Sequence, residues 1–329
     1  MKEITKVLYI AVDSGKSATK YAHFHKNQPG KKNIKAGSFK SIITEATLDE
    51  LAGADNLVVH RGIAYDVGGT DERALESNNT KLTDAHKLFV YTAIAKALLA
   101  MEMEIDDIDE MHQIDLSINV PLAEFKKLKD EYTKEYRGKE VTIELNNQVI
   151  SFTIANVRLG YEGSGAVIRN VDDETKISHI VDIGGQNDTH ITFEGFKPIK
   201  GKNDMTNNGV LTLLQRIASD LSDAYNVTIN DVERIIEGKL SKPVAFDEVF
   251  KKRAAQHVTM IKNQVQKYQL NPLFVTIIFS GGGSLLLKEQ LKKAFEEYTT
   301  KFSDDAQFDN SKGMLERVLN EVTSWQLDK

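Results

Sequence analysis

An aspartate followed by a glycine bend stands near the start of the chain, where Asp13 ends an apolar run over residues 7–12. The spacing Asp13-x-Gly15, with Lys20 beyond it, is typical of a phosphate-binding turn, because amides in a tight bend converge on an anion. Gly15 permits close backbone approach, Asp13 suits a hydrated Mg²⁺ ion and Lys20 is placed to reach phosphate oxygens. An ordinary hairpin with an exposed lysine fits the same residues, so this motif alone leaves both interpretations open.

The triplet Gly15-Lys16-Ser17 invites comparison with a P-loop. A P-loop requires a glycine five positions before Gly15, where Ile10 stands, and a helix directly after the loop. The residues after this bend are rich in aromatic and β-branched types and predict a strand. The bend is therefore interpreted as a strand–turn–strand unit and not as a P-loop.

A second bend of the same kind follows about half the chain later, where Asp182 ends an apolar run and precedes Gly184 and Gly185. Two glycines after a buried strand suit a phosphate-binding nest, with Asp182 as a ligand of metal-bound water. A simple glycine turn is the alternative. Because both bends share the aspartate, the glycine two residues later and a return strand, they predict an internally duplicated fold of two similar α/β domains.

Two further features complete a candidate nucleotide site. The run Gly281-Gly282-Gly283 follows a wholly apolar strand and opens a helix, so a flat purine is able to lie on its bare backbone. Between the two bends lies Glu162, the carboxylate of the small-residue segment 161–167, which is suited to orient an attacking water. A solvent-facing glutamate is the alternative for Glu162. The combination favours a nucleotide site more strongly than any one motif.

The amino-acid composition excludes several classes of protein and of functional site. The chain has 329 residues, no cysteine and a formal net charge of −6. The lack of cysteine excludes disulfides, thiol nucleophiles and Cys-bound zinc, and the acidic balance disfavours a broad DNA-binding surface. The apolar run before Asp13 is too short for a signal-peptide core, and no run reaches the length of a membrane span. A cytoplasmic protein without a membrane partner is expected.

Hydrophobic periodicity predicts the elements that would position these residues. Strands are expected on both sides of each bend, and two further strands over 141–157 meet at Asn146-Asn147. The remaining predicted elements are strands at 57–61, 63–69, 113–120 and 274–279, and helices at 83–103, 122–136, 209–225, 285–298 and 313–325. The segment 25–40 is expected to be a loop or a weak edge hairpin.

The order of these motifs resembles the actin-like ATPase superfamily, which includes Hsp70 chaperones and sugar kinases, and most of all the ParM/StbA group of plasmid-segregation actins. The first bend matches at Asp13, Gly15 and Lys20, and the resemblance runs from about Leu8 to about Val322. Further segments that look like this group are Lys81–Lys87, Asn119–Phe125, Glu162–Val167, Gly209–Ala218, Phe279–Gly283 and Asp304–Asn310.

The resemblance implies an α/β protein with the actin-like (ribonuclease H-like) fold, in which two duplicated domains surround an interdomain nucleotide cleft. Domain I would cover residues 1–163, domain II residues 164–312, and the C-terminal helix 313–329 would return to domain I. The implied function is an ATPase that polymerises into dynamic filaments and segregates plasmid DNA. A separate adaptor protein would bind the centromere, so the filament subunit itself would bind no DNA.

The resemblance also implies roles for individual residues. Asp13 and Asp182 would organise Mg²⁺ through water, and Asp182 and Glu162 would be the catalytic carboxylates, with Glu162 placing the water. The residues that would hold ATP, or GTP, which the glycine turn also tolerates, are Asp13, Ser14, Gly15, Lys16, Ser17, Lys20, Gly184, Gly185, Asn187, Gly281, Gly282 and Gly283. Asn187 departs from the family, which often has a hydroxyl there, and this predicts slower hydrolysis.

Two rival functions stay open at this level. A small-molecule kinase of the same superfamily would use a carboxylate to deprotonate an acceptor hydroxyl. A nucleotide-binding structural filament would turn its nucleotide over negligibly, an outcome to which Asn187 would contribute. Phosphate release measured beside pelleting separates these functions.

Overall fold

A computed structural model describes residues 7–25, 29–45, 47, 54, 56–69, 81–102, 112–171 and 175–327. The strands are β1 (Val7–Ser14), β2 (Ala18–His25), β3 (Lys35–Lys40), β4 (Ile43–Glu45), β5 (Leu57–His60), β6 (Ile63–Val67), β7 (His112–Val120), β8 (Glu140–Leu145), β9 (Gln148–Tyr161), β10 (Ile177–Ile183), β11 (Asp188–Glu194), β12 (Lys197–Thr206), β13 (Val275–Ser280) and β14 (Thr299–Phe302). The helices are α1 (Asp84–Glu102), α2 (Leu122–Tyr136), α3 (Ser164–Asn170), α4 (Val210–Tyr225), α5 (Ile229–Ile236), α6 (Phe246–Gln266), α7 (Gly282–Leu286), α8 (Lys288–Ala294) and α9 (Asp309–Leu327).

The chain forms two compact units. The first contains residues 1–169 and 308–329, and the second contains residues 170–307. No helix among the described residues is long and apolar enough to cross a lipid bilayer.

The two units share one sheet design. In the first unit the sheet begins with the order β3-β2-β1-β7-β9, and the sheet of the second unit has the order β12-β11-β10-β13-β14. In both, the central strand pairs antiparallel with the strand that follows it in sequence and parallel with the strand on its other side. This correspondence confirms the duplicated α/β fold predicted from the two bends. The first unit extends its sheet with β8, β5, β6 and β4.

Apolar side chains explain why these strands form the centre of each unit. In the first unit, Ile10 and Val12 of β1 and Ile114 and Leu116 of β7 are fully buried against α1. Such strands, buried on both faces, are expected where helices cover a parallel pair. The opposite face of β1 and β2 is covered by α9, whose Leu315 packs in one cluster with Ala11 and Ala22 of the sheet.

Several sequence-based boundaries differ from the structure. The helix predicted over 285–298 is divided into α7 and α8 at Leu287, whose side chain is completely buried. Leu287 has a non-helical backbone, and Leu287, Leu291 and Phe295 are all buried in the core of the second unit. The edge segment 25–40 contains the strand β3, and the final helix begins earlier than predicted, at Asp309. Met103, the predicted last residue of the first helix, lies outside the described residues.

Candidate functional site

The first bend places Asp13 at the carboxyl end of β1, where its side chain is largely buried. Asp13 lies directly opposite Lys20 of β2 in the antiparallel register. The Gly15 amide donates a hydrogen bond to the Asp13 carbonyl over 3.1 Å. A Cβ atom at Gly15 would come within 2.9 Å of the Ala18 carbonyl oxygen. Any residue other than glycine would therefore disturb this turn.

Ser41 holds the first bend in place through two hydrogen bonds to its backbone. Its hydroxyl donates to the Gly15 carbonyl over 2.6 Å and its amide donates to the Ser17 carbonyl over 3.0 Å. The Ser41 and Thr19 hydroxyls are also hydrogen-bonded, 2.9 Å apart. The carbonyl oxygens on both sides of Lys16 are thus satisfied within the protein. Ser41 lies 26 residues from Gly15 along the chain, so no local motif indicates this contact.

Ser14 is a buried polar residue of the first bend. Its side chain is 3% exposed, and its hydroxyl has no hydrogen-bond partner among the described residues. An unpartnered buried hydroxyl costs free energy, about 1–3 kcal/mol in mutational data. Ser14 lies beside Asp13 at the start of the bend, so a phosphate oxygen or a water of a hydrated cation would satisfy it. The residues of this bend therefore fit the phosphate and Mg²⁺ chemistry that the sequence implied.

The Lys81 ammonium group contacts two of the candidate site's carboxylates, those of Asp13 and Glu162. Its ammonium nitrogen lies 3.3 Å from Asp13 Oδ1 and 3.0 Å from Glu162 Oε1. Burial alone would lower the pKa of Lys81, but the Glu162 and Asp13 carboxylates outweigh it and raise the pKa above the usual 10.5. Lys81 is therefore a cation at neutral pH. Lys81 is the first residue of a segment that resembles the ParM group, but no motif in the sequence predicts a role for it.

Glu162 is held by the turn between β9 and α3. Its amide donates to the Val120 carbonyl over 3.0 Å, and the following Gly163 amide donates to Asn310 Oδ1 over 3.0 Å. Small residues are needed here, because a Cβ atom at Gly165 would overlap the backbone of Asn310. The start of α9 thus packs tightly against α3 and fixes the backbone that carries Glu162.

The second bend has Asp182 on β10 and is closed by its own backbone. The Gly184 amide donates to the Asn187 carbonyl over 2.9 Å. The carbonyls of Gly184 and Gly185 accept hydrogen bonds from Val210 and Leu211, the first residues of α4, over 3.0 and 2.7 Å. The N-terminus of α4 thus anchors the bend, and the Gly184 amide is already engaged within it.

The residue after this bend points into the protein. Asp188 is completely buried, accepts a hydrogen bond from Thr206 and contacts His190 Nε2 at 3.1 Å. His190 Nδ1 in turn lies 3.4 Å from His179 Nε2. Burial would raise the pKa of Asp188, but its bonds to His190 and Thr206 hold that pKa below the usual value. The Asn187 side chain, by contrast, donates to the sulfur of Met205 over 2.8 Å.

The three glycines after β13 differ in surroundings. Gly281 has φ of +79°, and a Cβ atom there would overlap Asp182 Oδ1 and the Ile183 carbonyl. At Gly283 a Cβ atom would overlap the side chains of Ile183 and Val210. At Gly282 a Cβ atom would meet nothing within 4 Å. Packing therefore requires glycine at 281 and 283, whereas only Gly282 presents open backbone on which a flat ligand is able to lie.

The structure thus groups the predicted residues within each unit. The first unit brings Asp13, Ser14, Gly15, Lys20 and Glu162 to neighbouring positions, with Lys16 and Ser17 in the bend. The second unit brings Asp182 beside Gly281, and places Gly184, Gly185 and Asn187 in one turn. Within the described part of the chain, no cluster of three or more His, Cys, Asp or Glu residues forms a metal site. A hydrated Mg²⁺ ion needs only one or two carboxylates and suits this arrangement.

Comparison with known proteins identifies the fold. Residues 11–165 match the family model of the N-terminal domain of actin-like proteins. No curated protein matches the sequence significantly. The apo ParM protein of psk41 is similar over 96% of this chain and 99% of its own, with a TM-score of 0.70 and 19% identity.

Two further structures show the same likeness. A 15-stranded ParM filament from Clostridium botulinum has a TM-score of 0.70 and 18% identity, covering 95% of this chain and 99% of that one. Ta0583, an archaeal actin homolog in complex with ADP, has a TM-score of 0.71 and 15% identity over the same shares. The chain is therefore an actin-like protein in fold. The actin-like fold that the resemblance to ParM proteins implied is therefore confirmed.

Proposed function

We propose that this chain is an ATPase that polymerises with nucleotide into filaments. The observation that carries the proposal is that an aspartate–glycine bend ends the central strand in both of two similar sheets, at Asp13 and at Asp182. The unpartnered Ser14 hydroxyl supports a phosphate ligand at the first bend. The similar structure solved as a ParM filament, and Ta0583 solved with ADP, support filament assembly and nucleotide binding.

The proposed roles follow the chemistry of each group. Mg²⁺ bound through water at Asp13 and Asp182 would neutralise phosphate charge. Ser14, Lys16, Ser17 and Lys20, with the backbone of Gly15, would hold phosphate oxygens in the first unit. Gly185 and Asn187 would do so in the second unit, with Gly184 shaping the turn. The open backbone at Gly282 would accept the purine, of ATP or of GTP, between Gly281 and Gly283.

Glu162 would orient the water that attacks the terminal phosphate. Phosphoryl transfer requires little covalent chemistry from a protein beyond positioning and charge stabilisation. A carboxylate fixed at the Glu162 turn, 21% exposed, is able to accept a hydrogen bond from such a water and direct its lone pair. We further propose that the two compact units are the two actin-like domains, and that assembly serves plasmid segregation in the cytoplasm through a centromere-bound adaptor.

Sedimentation and phosphate release, measured on the same samples, test the proposal. With Mg²⁺ and ATP the protein should pellet more than with ADP or without nucleotide, and should release phosphate. Glu162→Gln should still pellet with ATP but release phosphate at least about a hundredfold more slowly, giving longer-lived filaments. Glu140→Gln, an exposed carboxylate on β8 in the same unit, serves as the control and should behave as wild type.

Equal sedimentation under all three nucleotide conditions would contradict nucleotide-driven assembly. Phosphate release that requires an added hydroxyl acceptor, without pelleting, would indicate a small-molecule kinase. Pelleting with ATP without phosphate release would indicate a structural filament. Normal phosphate release by Glu162→Gln would remove Glu162 from the catalytic role.

A further inference from the structure

A buried lysine, Lys81, lies between two carboxylates of the first unit: Asp13, the proposed Mg²⁺ ligand, and Glu162, the proposed water-orienting residue. Lys81 is 8% exposed, and its ammonium is within 3.3 Å of Asp13 and 3.0 Å of Glu162. These two contacts account for two of the three N–H donors of an ammonium. The segment that brings Lys81 here lies just before α1, 68 residues from Asp13 along the chain.

The backbone of Lys81 is also fixed. Its amide donates to the hydroxyl of Tyr132, 2.9 Å away, and that hydroxyl donates to Glu124 Oε2 over 2.7 Å. Tyr132, a residue of α2, is completely buried in the hydrophobic core of the first unit. The lysine therefore approaches the carboxylates from a rigid anchor, and its long side chain has little freedom to move elsewhere.

The charges explain what such a lysine does. When ionised, the Asp13 and Glu162 carboxylates have no donor hydrogen, and two carboxylates near one another repel. A cation between them attracts both, which offsets the repulsion, and it gives each carboxylate a directional donor. A group that orients water must be held within fractions of an ångström, since a misplacement of about 1 Å costs on the order of a hundredfold in rate.

We propose that Lys81 is a positioning residue for hydrolysis: by bridging Asp13 and Glu162 it fixes the Glu162 carboxylate where water must be oriented. This inference rests on the proposed ATPase function. Lys81 acts through Glu162, so its loss slows the chemical step more than it weakens nucleotide binding. Loss of a lysine that only stabilised the fold, or only attracted phosphate, would not slow the chemical step more than it weakens nucleotide binding.

The test uses Lys81→Met, which keeps the length of the side chain and removes its charge, and Lys81→Arg, which restores a cation. Single-turnover phosphate release and titration with a fluorescent ADP analogue are measured for each. Lys81→Met should slow release by about ten- to a hundredfold and change the nucleotide dissociation constant by less than about threefold, since binding groups are left in place. Lys81→Arg should recover part of the rate.

Lys87→Met is the matched control. Lys87 also contacts two carboxylates, Asp84 at 2.8 Å and Glu135 at 2.9 Å, but it touches neither Asp13 nor Glu162. Its release rate should equal that of wild type. Thermal unfolding of every variant shows whether it is folded. If Lys81→Met is not folded, the rate and the nucleotide affinity of Lys81→Arg still test the inference.

The double variant Lys81→Met/Glu162→Gln decides whether the two residues act as one unit. If Lys81 works through Glu162, the double variant should be no slower than Glu162→Gln alone. Multiplied losses, an unchanged rate in Lys81→Met, or equal losses of rate and affinity would each overturn the inference. A wild-type protein that releases no phosphate would instead overturn the proposed function, and the inference with it.

Discussion

Replacing Asp188 should destabilise the second unit strongly, because this carboxylate anchors the return strand of the second bend from inside the protein. Asp188 is completely buried, and its two oxygens accept hydrogen bonds from Thr206 and from His190 Nε2. An ionised carboxylate only accepts, so Nε2 of His190 carries the proton. In the tautomers that continue this chain of hydrogen bonds, His190 Nδ1 accepts from His179 Nε2, and His179 Nδ1 accepts from the Thr192 hydroxyl 3.0 Å away.

The magnitude follows from the bonds that are lost. Asp188→Ala removes two hydrogen bonds to a buried charge and leaves the His190 N–H without an acceptor, which should cost about 3–5 kcal/mol. Asp188→Asn keeps the shape and one acceptor oxygen. Its amide is able to donate to His190 Nε2 if both histidines exchange tautomers, so its cost should be about 1–2 kcal/mol. Because Asp188→Asn creates no cavity, its own cost reports the change in the hydrogen-bond chain, and the additional cost of Asp188→Ala includes the cavity.

Urea unfolding followed by circular dichroism measures both free energies, and ¹⁵N NMR of the imidazoles reports the tautomers. We expect His190 to carry its proton on Nε2 in the wild type and on Nδ1 in Asp188→Asn. An Asp188→Ala variant within about 1 kcal/mol of wild type, or an unchanged His190 tautomer in Asp188→Asn, would refute the reasoning.

Three shorter predictions concern pH, the glycine run and metal removal. Burial, with Lys81 and Lys16 nearby, lowers the pKa of His86 to about 4. As pH falls, the unfolded state therefore binds a proton at this residue before the folded state does, and about 2 kcal/mol of folding stability should be lost between pH 7 and pH 5. Urea titrations at these pH values should show a smaller loss for His86→Gln. Gly282→Ala should leave the melting temperature unchanged but weaken ADP binding. Gly281→Ala should lower both the melting temperature and the affinity for ADP, because the φ of +79° at position 281 is strained for a residue with a side chain. Chelating Mg²⁺ with EDTA should weaken ATP binding in the same titration, and an equal affinity would argue against a metal at the bends.

Local sequence patterns predicted the parts of this fold that depend on neighbouring residues. The strands around Asp13 and Asp182 are confirmed, since apolar strands flanked by glycine bends have few alternatives. The hairpin at Asn146-Asn147 is confirmed as well, and both asparagines adopt positive φ, as this residue type tolerates. The predicted helix from Gly209 becomes α4, with Gly209 as its N-cap.

The parts that were missed depend on contacts between distant residues. Lys81 meets Asp13 across 68 positions, and nothing in its local sequence distinguishes it from a surface lysine. Asp188 reads as part of a polar turn, and its burial follows only once His190 and Thr206 pack around it. The adenosine-lining role of Gly281, Gly282 and Gly283 stays a prediction, and the close contacts that leave no room for a Cβ atom at Gly281 and Gly283 depend on the distant residues Asp182, Ile183 and Val210.

Calorimetric titration of Mg²⁺–ATP into the full chain tests the central claim most directly. We expect one saturable binding event per chain in the wild type, and an affinity at least about tenfold weaker when either Asp13 or Asp182 is replaced by alanine. The absence of heat in the wild type, or undiminished binding in both alanine variants, would contradict the claim that these two bends bind a nucleotide.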